Sequence, residues 1–229
     1  MFFLSFSRNY KILLGSCLLV FCISAHANSS KTSAPWIGDT LAGSSCQGKG
    51  QNYGPYDYTQ RSQLTKQLGL VEGAHFNENV ESLRGGAKQK YNLYGDIDYT
   101  LRAFPNHHRA LNSVIKLRTL YGAKHYKQKM STPAECYLQR AINFSPKDAS
   151  SFMLYGILLH KIGDFDNALI QYKKAEQQSA GSAEIQYNLG LLFIEMERFD
   201  EAKVYALKAY AQKFPLKGLM KRLKKSGHW

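Results

Sequence analysis

Apolar positions in the C-terminal half recur three to four residues apart, the spacing of one face of an α-helix rather than the alternation of a strand. Phe152, Tyr155, Gly156 and Leu159 share such a face. The stretch Gly163-Asp164-Phe165-Asp166 interrupts it as a turn, and Ala168, Tyr172 and Ala175 line a following helix. The pattern returns at Tyr187, Leu189, Gly190 and Phe193, with a turn at Glu197-Arg198-Phe199-Asp200 and a second helix carrying Ala202, Ala206 and Ala209. Three columns set the period. Gly122, Gly156 and Gly190 step by 34 residues, and so do Ala134, Ala168 and Ala202, and Ala141, Ala175 and Ala209. A fixed period of this length marks stacked helix pairs, each burying its apolar face on the next. Small residues in these columns predict close helix crossings, with large side chains filling the remaining groove.

These residues resemble the tetratricopeptide repeat family. In the second unit Phe152, Tyr155, Gly156, Leu159, Ala168, Tyr172 and Ala175 occupy the family's signature columns, with Ala180 in place of its proline. In the third, Leu189, Gly190, Phe193, Ala202 and Ala209 match, Gln186 and Ala206 depart, and Pro215 falls one residue late. In the first, Gly122, Ala134, Leu138, Ala141 and Pro146 fit, while Arg118 and His125 replace aromatic residues. The resemblance implies an all-α helical solenoid of three helix-turn-helix repeats within residues 111–214, at 115–148, 149–182 and 183–216. Residues 215–229 then predict a basic capping helix and tail, in which Leu219, Met220 and Leu223 cover the last repeat.

Upstream the periodicity stops. Residues 28–50 are rich in Ser, Gly and Thr and read as a flexible leader; residues 51–110 read as an irregular Gly-, Tyr- and Asp-rich region packing on the repeats. Within it Gly54-Pro55-Tyr56-Asp57-Tyr58-Thr59 is echoed by Gly95-Asp96-Ile97-Asp98-Tyr99-Thr100, and both fit a turn in which the carboxylate binds backbone N–H groups. Phe76 to Gly85 predicts a short helix capped by Asn77 and stopped by Gly85. Asn106 predicts a cap that places His107 and His108 in the first turn of the next helix. Glu72 and His75 have a spacing that could offer two metal ligands, but Gly73 argues against a helix there and no second pair follows. No metal or cofactor is expected.

The first residues change the compartment. Arg8 and Lys11 precede a short apolar run, Ile12 to Ile23, and Ala25-His26-Ala27 supplies small residues for a peptidase. Residues 1–27 therefore predict a cleaved export signal, an uncleaved anchor being the alternative, and a periplasmic or secreted mature chain. Of four cysteines, Cys17 and Cys22 would leave with the signal. In an exported protein the remaining Cys46 and Cys136 favour one disulfide tying the N-terminal half to the repeats, two separate thiols being the alternative. The net charge of +13 suggests nucleic acid only in a chain that stays inside the cell. For an exported chain it points to anionic envelope lipid or polysaccharide, acidic partner proteins, or a merely solvated surface.

The family resemblance also implies a function. Its members bind peptides or helices of other proteins on the concave side, which the first helix of each pair lines. The groove-facing columns here are Lys116, Thr119, Tyr126 and Lys127; Met153, Ile157, His160 and Lys161; and Tyr187, Leu191, Ile194 and Glu195. The expectation is an exported, non-enzymatic adaptor holding an envelope protein. The competing readings are an enzyme with a site at the junction, built from Asp96, Asp98, His107 and His108, and a charge-driven binder of anionic lipid or polysaccharide.

Overall fold

A computed structural model describes residues 33–51, 53–88 and 92–229; the expected export signal at residues 1–27 lies outside the described residues. Within them the architecture is helical: α1 (Thr65–His75), α2 (Glu78–Glu81), α3 (Leu93–Ala103), α4 (His108–Lys129), α5 (Ala134–Phe144), α6 (Ala149–Lys161), α7 (Phe165–Gln178), α8 (Ala183–Glu195), α9 (Phe199–Ala211) and α10 (Gly218–Lys225). None of these helices is long and apolar enough to cross a membrane.

The second and third units form as expected. Asp148 and Ser182, one period apart, cap α6 and α8 by accepting from the backbone N–H of Ser150 and Ile185. Gly156 brings α6 against α7 so closely that an added Cβ would lie 2.6 Å from Tyr172 Cδ1. Ala168, Tyr172 and Ala175 on α7, and Ala202, Ala206 and Ala209 on α9, are fully buried. The turn column is left-handed in both units, at Gly163 (φ 88°) and Glu197 (φ 58°). α10 closes the stack: Leu219 and Leu223 are fully buried against α8 and α9, and an added Cβ on Gly190 would meet Leu219 Cδ2 at 2.5 Å.

The first unit departs. The capping column falls on Val114, which is buried within a helix that begins a turn and a half earlier at His108. Gly122, expected at a close crossing, instead breaks α4 with φ 74° and ψ 169°, and open space surrounds the position a Cβ would take. Without a cap to start the helix at the repeat boundary, α4 extends backward, and its buried Leu111, Val114 and Ile115 pack in one cluster with Phe76, Val80, Ile97 and Leu101 of the N-terminal half.

Other expectations are corrected locally. The second G-x-x-D-Y-T echo lies inside α3, started by Asn92, whereas the first is a turn in which Asp57 caps a short 3-10 segment. α2 ends at Glu81, with Leu83 at φ 61°, four residues before Gly85. Gly73 does not prevent α1. Residues 33–50, the described part of the stretch expected to be a flexible leader, lie along α5. Arg140 donates to Ala34 O, Leu101 O and Gln51 Oε1, each at 2.7 Å, with its guanidinium 4.6 Å over the Trp36 ring. Cys46 and Cys136 are joined by a disulfide spanning 90 residues of chain.

Candidate functional site

The groove columns divide by burial. Lys116, Lys127, Lys161 and Glu195 are exposed, and Thr119, Ile157, His160 and Leu191 are half-buried. Met153 and Ile194 belong to the core of the second and third units. Tyr126 is buried and donates to Thr132 O, and Tyr187 packs against Phe214 at 4.8 Å between ring centres. The two tyrosines are thus core residues: Tyr126 is tucked back by the break at Gly122, and Tyr187 abuts α10, where Gly218 leaves room for its hydroxyl. The surface left on α6 and α8 is Ile157, His160 and Lys161 beside Leu191 and Glu195. Burial lowers the pKa of His160 against the opposing charge of Glu195, so its imidazole stays neutral at physiological pH. Arg222 Nη1 donates to Glu195 at 2.8 Å, placing α10 at the rim of that surface.

The four junction residues do not converge on one cavity: Asp96 and Asp98 line a small one with His75, Tyr99 and Arg102, and His107 and His108 lie outside it. His107 is fully buried and is itself the N-cap of α4, the role expected of Asn106: its Nδ1 accepts from Ala110 N–H at 3.2 Å. Nδ1 therefore carries no proton, and Nε2–H donates to Glu72 Oε1 at 3.0 Å. Burial pushes the His107 pKa down against the pull of Glu72, while the hydrogen bond from His107 outweighs burial and holds Glu72 low. With both nitrogens engaged, His107 has no lone pair to offer a substrate. Its neighbour His108 contacts Asp148 Oδ2 at 2.8 Å. Burial opposes the charge on Asp148, yet contacts from His108, Ser151 and Asn106 keep its pKa below the usual value. Asn106, fully buried, accepts from Tyr58 N–H and donates to Asp57 and Asp148, so one amide joins the first echo to the start of the second repeat.

Asp96 and Asp98 are buried in separate contacts. Asp96 takes His75 Nδ1 at 2.8 Å and the backbone N–H of Ala87 at 2.7 Å. Asp98 accepts from Tyr137 at 2.6 Å and Arg102 at 3.1 Å. Glu72 and His75 thus share α1 but serve different partners, and no group of three or more metal-ligating side chains occurs among the described residues. No buried side-chain polar atom among them lacks a partner. Sequence reasoning missed Arg140, Glu72 and Asp148 as organising residues. Only Asp148 left a signal, as a helix-capping aspartate one period before Ser182.

A helical-repeat module, two regular helix pairs and a capping helix built on an aberrant first pair, is what this geometry defines. The third unit, residues 183–213, matches the tetratricopeptide repeat family. No curated protein sequence matches the chain. Among solved structures it is similar to "Crystal structure of MamA", at 16% identity and a TM-score of 0.43, over 74% of this chain and 87% of that one. It is also similar to "Crystal structure of YrrB: a TPR protein with an unusual peptide-binding site", at 19% identity and a TM-score of 0.36, over 73% of this chain and 97% of that one.

Proposed function

We propose that the protein is an exported, non-enzymatic adaptor of the cell envelope that holds a segment of a partner protein on the concave face of its repeats. The observation that carries this reading is the contrast between the two candidate sites. The buried polar atoms of the junction all have hydrogen-bond partners in the surrounding structure, whereas α6 and α8 leave half-buried Ile157 and Leu191 beside exposed Lys161. Apolar anchors with an adjacent cation suit an amphipathic or extended segment bearing an acidic residue. The N-terminal half serves as a brace for the aberrant first unit, its helices packing on one another and on α4. Export is supported by the residue pattern of positions 1–27 and by a disulfide at Cys46–Cys136, which suits an oxidising compartment.

The test is capture from an envelope extract with the wild-type protein and with Ile157→Asp/Leu191→Asp, followed by crosslinking from Lys161. A protein retained by the first, lost by the second and crosslinked to Lys161 is the expected result. Identical captures by both baits would remove the groove as the working surface. For the enzyme reading, His108→Asn would have to abolish a turnover; the adaptor keeps its partner in that variant.

A further inference from the structure

The outward face of α10, with the turn leading into it, forms a cationic surface with an aromatic edge, and we propose that it docks the protein on an anionic lipid bilayer. Residues 213–229 hold six Lys and Arg side chains and no Asp or Glu. Burial of Leu219 and Leu223 fixes the rotation of α10. At roughly 100° per residue, Lys217, Lys221 and Lys224 then fall on the opposite side, with Lys225 beside them. All four are exposed. Arg222, on the flank, is held by Glu195.

Tyr210 gathers the apolar edge. Its hydroxyl donates to Leu216 O and accepts from Met220 N–H, each at 3.0 Å. Lys217 Nζ lies 5.2 Å over its ring, and the Trp229 ring packs edge-on at 5.9 Å. Leu216 is 55% exposed and Trp229 36%. An acidic polypeptide or a nucleic acid would account for the lysines but not for a leucine and a tryptophan presented beside them. An indole next to lysines fits the boundary between headgroups and acyl chains. Five of the six cations are Lys, and flexible, hydrated point charges suit a diffuse anionic plane, whereas fixed phosphate geometry favours the arginine fork. This surface is separate from Ile157 and Leu191, so adaptor and docking functions can fail independently.

Vesicles of phosphatidylglycerol mixed with phosphatidylcholine should sediment the protein at low salt, vesicles of phosphatidylcholine alone should not, and added salt should release it. Lys217→Gln/Lys221→Gln/Lys224→Gln/Lys225→Gln should weaken partitioning by roughly several hundredfold, at roughly fivefold per lysine. The substituted side chains are exposed, and circular dichroism checks that the fold is kept. The chain has two tryptophans, and Trp36 lies beneath Arg140, so a blue shift of emission on vesicles reports Trp229. Ile157→Asp/Leu191→Asp should bind vesicles like the wild type. No sedimentation by the wild type, undiminished sedimentation by the quadruple variant, or binding to soluble polyglutamate as strong as to vesicles with no blue shift would each overturn the proposal.

Discussion

Glu72 on α1 accepts a hydrogen bond from Nε2–H of His107 at 3.0 Å, while the other ring nitrogen of His107 caps α4. One buried imidazole therefore starts a helix and fastens the N-terminal half to it. His107→Ala should lose the cap, leave a cavity and weaken the hold on Glu72, costing about 2–4 kcal/mol in urea unfolding. The pH dependence follows from the same pair. His107 has a folded pKa below its ordinary 6.5 and Glu72 one below its ordinary 4.5. For both, the unfolded chain binds protons more readily, so their stabilisation is fully present above the unfolded values and is lost as pH falls through the folded ones. The melting temperature should fall from about pH 6.5 downward, and less steeply in His107→Gln. An equal slope in that variant would assign the acid sensitivity to other groups.

Three glycines share one sequence column but not one environment. Gly156→Ala would drive a methyl into the ring of Tyr172, which is fully buried and cannot withdraw, and should cost about 2–3 kcal/mol. Gly190→Ala meets the end of a Leu219 side chain and should cost about 1–2 kcal/mol, loosening α10 first. Gly122→Ala meets open space and should cost only about 1 kcal/mol, through its positive φ. Chemical denaturation of the three variants measures this order.

The turn column makes a prediction of opposite sign. Glu197 holds φ 58° where the preceding repeat has glycine. Glu197→Gly should stabilise the protein by about 0.5–1 kcal/mol, because the strain of a side chain in the left-handed region is relieved. A thermal scan showing destabilisation would mean that the Glu197 side chain holds the turn by a contact that outweighs the strain.

Arg140 is nearly fully buried, and burial pushes its pKa down to about 10. Its donors bind two backbone carbonyls and Gln51, so Arg140→Met would strand these acceptors and should cost about 3–5 kcal/mol. Arg140→Lys should recover little, since an ammonium cannot make the same fork. Limited proteolysis should cut residues 33–51 faster in both variants.

The Cys46–Cys136 crosslink closes a loop of 90 residues, for which chain entropy gives about 4.6 kcal/mol. Cys46→Ser/Cys136→Ser should lower the urea midpoint accordingly while α6 to α9 keep their helicity. Peptide mapping without reductant should recover the two cysteines in one linked fragment; recovering them as separate thiols would remove the crosslink and its contribution.

Local pattern carried the second and third repeats, the capping helix and the choice of Cys46 with Cys136. In those stretches the signals are short-range: apolar spacing sets the buried face, Asp148 and Ser182 start the helices, and Gly156 admits Tyr172. The sequence also supplied every charged group of the two candidate surfaces. It could not distinguish Gly122 from Gly156, since a small residue marks a close crossing only where another helix arrives. Nor could it show that the second echo lies within a helix, or that Tyr126 and Tyr187 turn inward. Those outcomes depend on contacts between residues distant in the chain, such as Asp98 with Tyr137, Glu72 with His107 and Ala34 with Arg140. Desolvation makes such buried polar pairs all-or-none, because a buried donor or acceptor is costly unless its partner is in place, and only the tertiary structure brings the partners together.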